Sequence, residues 1–549
     1  MTRLTASASS NDPERTAASP AWLPSFAAGV FAAGFAARTF MPEDLRPAAE
    51  AIAVALLAFG SGLLLVDAGL RGRAAASSLA LLAPIALIPP AWNSDAAGTK
   101  LAIDLATAVV AGFAVRTFAA HGGSVALRRL AATMVLVFAA FGLAQWLYLN
   151  EAVREAAEAM AHDLASTERG RAFLASWRAR ATFTSPNAFA GWLAMLGPLV
   201  VVGAWSHSRS LGLVAAVLVG AAFGAAGSAG AAVALLIAGV VVARIRTEPG
   251  GRGRRLANAA AVCTAIGALA VIVMALTSGP TGGKLATLGE RFDYARAGLR
   301  LLADTAPFGG GFGAVDLRAA TAFRPGESFS RSLHNWWLEG AVEMGVWFLP
   351  FVAMMLILAR RVVLNLLSAT NAPRVPQSDG AGAGASAGGP GAGNASANER
   401  ACDGDDGGLR DTKTSSTTAK GVLVGVFLAG VLHPFVGFLP PVWNVDPWLE
   451  AVLVAAATAG AWRIAGAFRF SGPAGSVALL CGYLAFLIHG LVDFDLAIAG
   501  VAAGFGLTSG LISGPPPAAT VASRMLTLAL GLTTAFALPY FALRSAGAI

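Results

Sequence analysis

Residues 291–345 hold the side chains best suited to chemistry. Arg291, Arg296 and Arg300 precede Asp304, Pro307 and the glycines Gly309, Gly310, Gly311 and Gly313. Proline and glycine stop any helix begun near Glu290. Within that helix Arg296, Arg300 and Asp304 fall at i, i+4 and i+8 and share one face. Arg291 lies roughly opposite Arg300, because nine positions make about two and a half turns. Two arginine-bearing faces beside a bilayer suit a bound diphosphate, since guanidinium stays charged and offers forked donors. The structural alternative is an Arg300–Asp304 surface pair, with the other arginines snorkelling to lipid headgroups.

A second helix is expected to start near Ser332, a good N-cap. His334 then sits in its first turn, one turn from Arg331. Glu343, nine residues on, faces the other side and lies deeper, so the two are not paired. A neutral imidazole near pH 7 can take a proton from a hydroxyl. The alternative is an interfacial histidine satisfied by water.

These residues must be positioned by a membrane protein. Of 549 residues 56% are hydrophobic and 13% charged, against about a quarter charged in soluble domains. The net charge of +8 does not point to nucleic acid. The basic residues lie in short loops between apolar segments, where they set topology. The three cysteines, Cys263, Cys402 and Cys481, have neither zinc nor disulfide spacing. The first apolar segment is long enough to remain as an anchor rather than be cleaved.

In order, residues 1–20 read as a disordered N-terminus and 21–149 as transmembrane helices. Residues 150–187 form a polar loop whose part from Glu151 to Trp177 suits an interfacial amphipathic helix. Central spans fill 188–278, including a hairpin or something less regular at 211–244. The large loop 279–337 carries the candidate site, and 338–369 gives a span with a basic end. Residues 370–419 read as a flexible linker and 420–549 as about five more spans. The total is an all-α polytopic protein of about 14–15 spans. Arg71, Arg73, Arg128, Arg129, Arg209, the cluster from Arg244 to Arg255, Arg360 and Arg361 fall on one side. Glu43, Asp44 and Asp95 fall on the other. The positive-inside rule then puts the N-terminus in the cytoplasm and both polar loops outside. His489 and Asp493, at i and i+4 near a helix end, read first as structural and second as a glycan contact. Asp104 and Arg116 read as packing or topology residues.

The pieces Arg291, Asp304, Pro307, the glycines, His334, Asn335, Leu338, Glu343 and Gly345 resemble the core of the O-antigen ligase and polymerase family. The run from Arg180 to Ala190, with Ser185-Pro186-Asn187 inside it, resembles that family's Pro-Asn element. The likeness covers residues from about 180 to 350. One departure stands out: Ser228-Ala229-Gly230 occupies the place of a Ser-Arg-Gly, without the arginine. The resemblance implies a membrane glycosyltransferase of GT-C-like architecture in the bacterial inner membrane, acting outside the cytoplasm. Its donor would be a glycan on a polyprenyl diphosphate, and its acceptor a hydroxyl on a lipid, a polymer or a protein. It implies no cofactor and no metal. His334 would be the base, Arg180, Arg291 and Arg296 would hold the diphosphate, and Asn335, Arg331 and Glu343 would support them. Ligase, polymerase and protein O-oligosaccharyltransferase remain open, and a solute transporter is the rival from another class.

Overall fold

The computed structural model describes residues 19–20, 22–40, 47–73, 86–149, 178–183, 185–247, 251–263, 284–325, 327–330, 332–371, 407–432, 447–470, 473–491, 493, 499–513 and 519–546. The described residues are helical, without strands. Helices α1 (Leu23–Phe40), α2 (Pro47–Leu70), the short α3 (Ile88–Trp92), α4 (Ala96–Phe118) and α5 (Ser124–Ala144) come first. Then follow α6 (Pro186–His207), α7 (Arg209–Ala226), α8 (Ala229–Arg246) and α9 (252–263). The loop region holds α10 (Lys284–Thr305), α11 (Ala314–Ala322) and α12 (Trp336–Met344), and α13 (Phe348–Asn371) leaves it. The tail is α14 (Gly407–Leu432), α15 (Pro447–Ala467), α16 (Pro473–His489), α17 (Ala499–Ile512) and α18 (Val521–Ser545).

Nine described helices are long and apolar enough to cross a bilayer, and four shorter apolar ones accompany them. The protein is therefore a multi-pass membrane protein. The larger count expected from sequence includes segments near 74–92 and 256–277, which lie partly outside the described residues. The amphipathic segment 151–177 and Cys402 lie outside them too. Of the stretch read as a linker at 370–419, residues 372–406 lie outside the described residues, and its two ends belong to α13, which runs to Asn371, and α14, which begins at Gly407. The 211–244 region is a hairpin: Gly227 turns the chain at φ +62°, and Ser228 caps α8 by accepting from the Ala231 N–H. Glycine fits that left-handed turn without a side-chain penalty.

In lipid, association rests on close packing of small residues rather than on a hydrophobic drive between helices. A Cβ on Gly34 of α1 would lie 2.2 Å from the Leu57 backbone nitrogen of α2. Tighter still, a Cβ on Gly482 of α16 would come 1.8 Å from the Met195 carbonyl oxygen of α6. Backbones touch at both crossings.

One buried charge cluster ties α1, α2 and α4. Arg38 reaches Glu50 at 2.7 Å and Asp104 at 2.8 Å, and Lys100 reaches Glu50 at 2.6 Å. Asp104 is thus a packing residue, as its sequence position suggested. Removing one partner of such a pair leaves a charge stranded in an apolar interior. Arg38→Met is expected to destabilise the protein by about 3–5 kcal/mol. The check is the thermal unfolding midpoint of the purified protein in detergent. Arg296→Ala, at a side chain 66% exposed, should stay within about 0.5 kcal/mol of wild type.

Candidate functional site

Three helix ends and one loop build the site. Ser185 caps α6 by accepting from the Ala188 N–H, with Pro186 in the first turn. Asn187 then stands where its Oδ1 accepts from Arg178 Nη2 at 2.7 Å. Arg178 Nε also donates to the Ala226 carbonyl at 2.8 Å, fastening this loop to the end of α7. The Gln145 Oε1 accepts from the backbone N–H groups of Arg180 and Ala181 at 3.0 and 2.9 Å. Burial holds both guanidiniums, Arg178 and Arg180, below the ordinary arginine pKa. The two repel each other, and Asp493 opposes the drop at Arg178.

The second helix does not start at Ser332. Asn335 is its N-cap, accepting from the Leu338 N–H at 3.0 Å, and α12 begins at Trp336. Ser332 serves the turn before it: its Oγ accepts from the His334 N–H at 3.1 Å and donates to Glu339 Oε2 at 3.1 Å. His334 lies outside the helix with φ +50°. For a residue other than glycine that conformation costs about 1–3 kcal/mol and persists where its surroundings fix it. The surroundings are backbone hydrogen bonds: the Trp336 N–H is donated to the carbonyls of Gly490 (2.9 Å) and Asp493 (3.1 Å). Trp337 Nε1 adds a bond to the Leu487 carbonyl at 3.1 Å.

This docking sets the His334 Nδ1 at 3.8 Å from the Asp493 Oδ1. Asp493 is only 2% exposed. The His334 ring stacks on Tyr294 of α10, with centroids 5.3 Å apart and planes 27° from parallel. Arg291, one turn before Tyr294, sits 5.9 Å from its ring centre and points Nη1 at the His334 carbonyl, 3.5 Å away. Its charge is also felt at His489. Histidine, arginine, tyrosine and aspartate thus meet where the start of α12 and the end of α16 come against the middle of α10. Asp493 is not on the helix of His489, because α16 stops at His489. It lies one turn further on, donating its backbone N–H to the His489 carbonyl at 3.1 Å. Sequence spacing kept Asp493 one turn from His489 but did not bring it to His334, and it passed over Tyr294 and Arg178. The available signals were an acid at the end of an apolar run and an aromatic residue three positions after Arg291.

Arg296 does not join the cluster. It turns to solvent and meets Asp293 at 3.6 Å. Arg300 is a structural residue, though not through Asp304. Its two terminal nitrogens grip Glu327 at 2.5 and 2.7 Å, and one also reaches the Ala322 carbonyl at 2.8 Å. Arg331 lies outside the described residues. Glu343 is buried away from His334, as its position nine residues on required. Its carboxyl accepts from the Gly313 N–H at 2.8 Å, and its own carbonyl accepts from the Gly311 N–H at 3.0 Å. Gly310 and Thr305 bond to the Val342 carbonyl, and Val346 to that of Pro307. The glycine loop is thereby clamped along the end of α12. It also rests on the start of α4, where a Cβ on Gly98 would meet the Phe312 carbonyl at 2.1 Å.

The chain is thus a helical multi-pass membrane protein with a polar cluster where several helices end. No protein-family model, curated protein or solved structure matches it.

Two outcomes follow from this geometry. Arg300, aided by the Arg324 backbone N–H, holds the Glu327 carboxyl down at about 2, below its ordinary 4.5. A depressed carboxylate contributes stability that is complete above its unfolded value and lost as pH falls through its folded one. Pepsin cleavage at Phe323 and Phe329 should therefore rise as pH drops from 4.5 toward 2, and Glu327→Gln should show that susceptibility already at pH 4.5. Glu343→Ala leaves the Gly313 N–H without its acceptor, a loss of about 1–3 kcal/mol that thermal unfolding in detergent would report.

Proposed function

We propose that the cluster is the reaction centre of a membrane glycosyltransferase of the O-antigen ligase and polymerase kind. The donor is a glycan carried on a polyprenyl diphosphate, and the acceptor is a sugar, lipid or protein hydroxyl. The observation that carries this reading is the convergence of His334 with buried Asp493 and with Arg291, held by backbone bonds in a strained turn. The motif resemblance at residues 180–190 and 291–345 supports it independently of geometry.

In this reading His334 Nε2 takes the proton of the acceptor hydroxyl. The hydroxyl oxygen forms its bond to the anomeric carbon. The bond from that carbon to the diphosphate oxygen breaks, and the diphosphate leaves with the electron pair. Asp493 faces Nδ1, so it orients the ring and stabilises the imidazolium that forms. Arg291 stands beside the base, and Arg178 and Arg180 line the neighbouring loop. Cations already stripped of water stabilise developing negative charge without reorganising. Arg296, exposed and paired with Asp293, is left out of the diphosphate site. The site faces outward, the N-terminus lies in the cytoplasm, and the membrane is the bacterial inner one.

The test is a gel profile of surface and lipid-linked glycans from a deletion strain carrying wild type or variants. Removing a general base costs about 100- to 10,000-fold in rate. His334→Ala and Arg291→Ala should therefore abolish transfer at normal protein levels, with Asp493→Asn falling between them and wild type. Long chains stranded on the carrier would mean ligase, and single repeat units would mean polymerase. Full complementation by His334→Ala and Arg291→Ala would remove the mechanism. Unchanged glycans in the deletion strain, with altered solute uptake, would turn the reading to transport.

A further inference from the structure

The loop that carries Arg178 and Arg180 has a support of its own. Ala181, directly after Arg180, stands at φ +48°. Among the described residues, Ala181 and His334 are the two residues other than glycine with positive φ. In that conformation the Cβ crowds the following carbonyl, so an L-residue keeps it only where its neighbours impose it. The two turns adjoin, since the charge of Asp493, which faces His334, also reaches Arg178.

The neighbour that imposes it on Ala181 is a side chain. Gln145 is only 4% exposed. Its Oε1 accepts from the N–H groups of both Arg180 and Ala181, at 3.0 and 2.9 Å. Successive N–H groups converge on one oxygen in the concavity that such turns make. Gln145 stands where α5 gives way to a π-helical turn, Gln145–Leu149, a departure from α-helix that is frequent at functional sites. Helix α5 closes on the loop here: a Cβ on Gly142 would sit 3.7 Å from that of Ala181. The other supports hold the residues on either side. The Ala179 N–H donates to the Ala225 carbonyl at 2.9 Å, and Thr182 Oγ1 donates to the Thr39 carbonyl at 2.9 Å. Phe183 packs against Phe138, Phe189 and Trp192. The loop is thus fixed at both ends, and Gln145 sets the conformation between them.

We propose that Gln145 is a positioning residue for donor binding. It holds Ala181 in the left-handed conformation, and that turn sets where the Arg180 guanidinium stands to meet a diphosphate. This role rests on the glycosyltransferase reading, in which Arg180 serves the donor diphosphate. Without the Gln145 oxygen, two adjacent N–H groups lose their acceptor, and the turn relaxes toward conformations open to alanine.

The full-length protein in a neutral detergent would be titrated with undecaprenyl diphosphate and, separately, with undecaprenyl monophosphate. Bound lipid is counted by native mass spectrometry. Wild type should retain the diphosphate about tenfold better, the worth of one charge-assisted hydrogen bond. Gln145→Leu should remove most of that preference, as Arg180→Gln does, while retention of the monophosphate changes little. A general loss of fold would instead lower both lipids together. Combining Gln145→Leu with Arg180→Gln should add no further loss, since the first acts through the second. Gln145→Glu keeps an oxygen acceptor and should stay near wild type. Ala181→Gly in the Gln145→Leu protein should restore the preference about threefold, because glycine takes the left-handed turn without a side-chain penalty. Where the leucine variant does not accumulate, Gln145→Asn, one methylene too short to reach the turn, makes the same comparison. An intact preference in Gln145→Leu or Gln145→Asn, an equal loss in Gln145→Glu, or additive losses with Arg180→Gln would overturn the role of Gln145. A wild type without the preference would remove the glycosyltransferase reading, and this role with it.

Discussion

The Trp336 N–H, donated to the carbonyls of Gly490 and Asp493, is the bond on which the candidate site depends. A helix N-terminus has donors with no partner inside the helix. Here α12 finds acceptors in the chain just beyond α16. With the Trp337 bond to Leu487, this docks two segments about 150 residues apart in sequence. The His334 turn and Asp493 are each within three residues of that junction. Their separation is set by backbone geometry, and neither side chain has to hold the other in place.

A second clamp fixes the other end of α12. The glycine loop bonds to the carbonyls of Val342 and Glu343, and the Glu343 carboxyl fastens Gly313. At Gly309 a Cβ would lie 2.4 Å from the Glu343 carbonyl, and φ is +84°. Only glycine allows that approach and that conformation together. Helices α10, α11 and α12 therefore form one unit that rests on the start of α4. Arg291 and Tyr294 reach His334 because α10 packs on α12 through Ala297, Leu301, Leu338 and Val342. The Arg300–Glu327 grip closes the loop that connects α11 to α12.

The sequence made much of this legible, and the limits have physical causes. Apolar segment lengths placed most helices, because a bilayer demands about 20 residues per span. Pro307 and its glycines marked the end of α10, and the spacing from His334 to Glu343 correctly separated the two. Local polar competition was harder to read. Ser332 and Asn335 are both good caps, and Asn335 wins because Ser332 is engaged with His334 and Glu339. Arg300 chose Glu327 over Asp304 because the folded loop offers a two-pronged partner with a carbonyl beside it. Helical spacing set Asp493 one turn beyond His489, where its N–H bonds the His489 carbonyl, but could not name the histidine that it faces. Its partner lies in a remote segment, and no local rule spans that distance.

Contact lengths divide the polar groups of this region into two kinds. Those that build the scaffold are short: Gly313 to Glu343 at 2.8 Å, Arg178 to Asn187 at 2.7 Å, Arg300 to Glu327 at 2.5 Å. Two contacts within the cluster are long: 3.8 Å between His334 and Asp493, and 3.5 Å from Arg291 to the His334 carbonyl. Both exceed the 2.7–3.2 Å range of a well-formed bond. A scaffold saturated at short distance resists rearrangement, whereas long contacts leave room to tighten around an added hydroxyl or anion. Tyr294 and Asp493 are buried there, so a bond formed against them counts for more than it would in water. At 3.8 Å Asp493 still faces Nδ1, the place from which a carboxylate orients an imidazole and stabilises an imidazolium. Backbone docking thus sets where these groups stand, and the side chains at the junction keep room to close on a group that arrives between them.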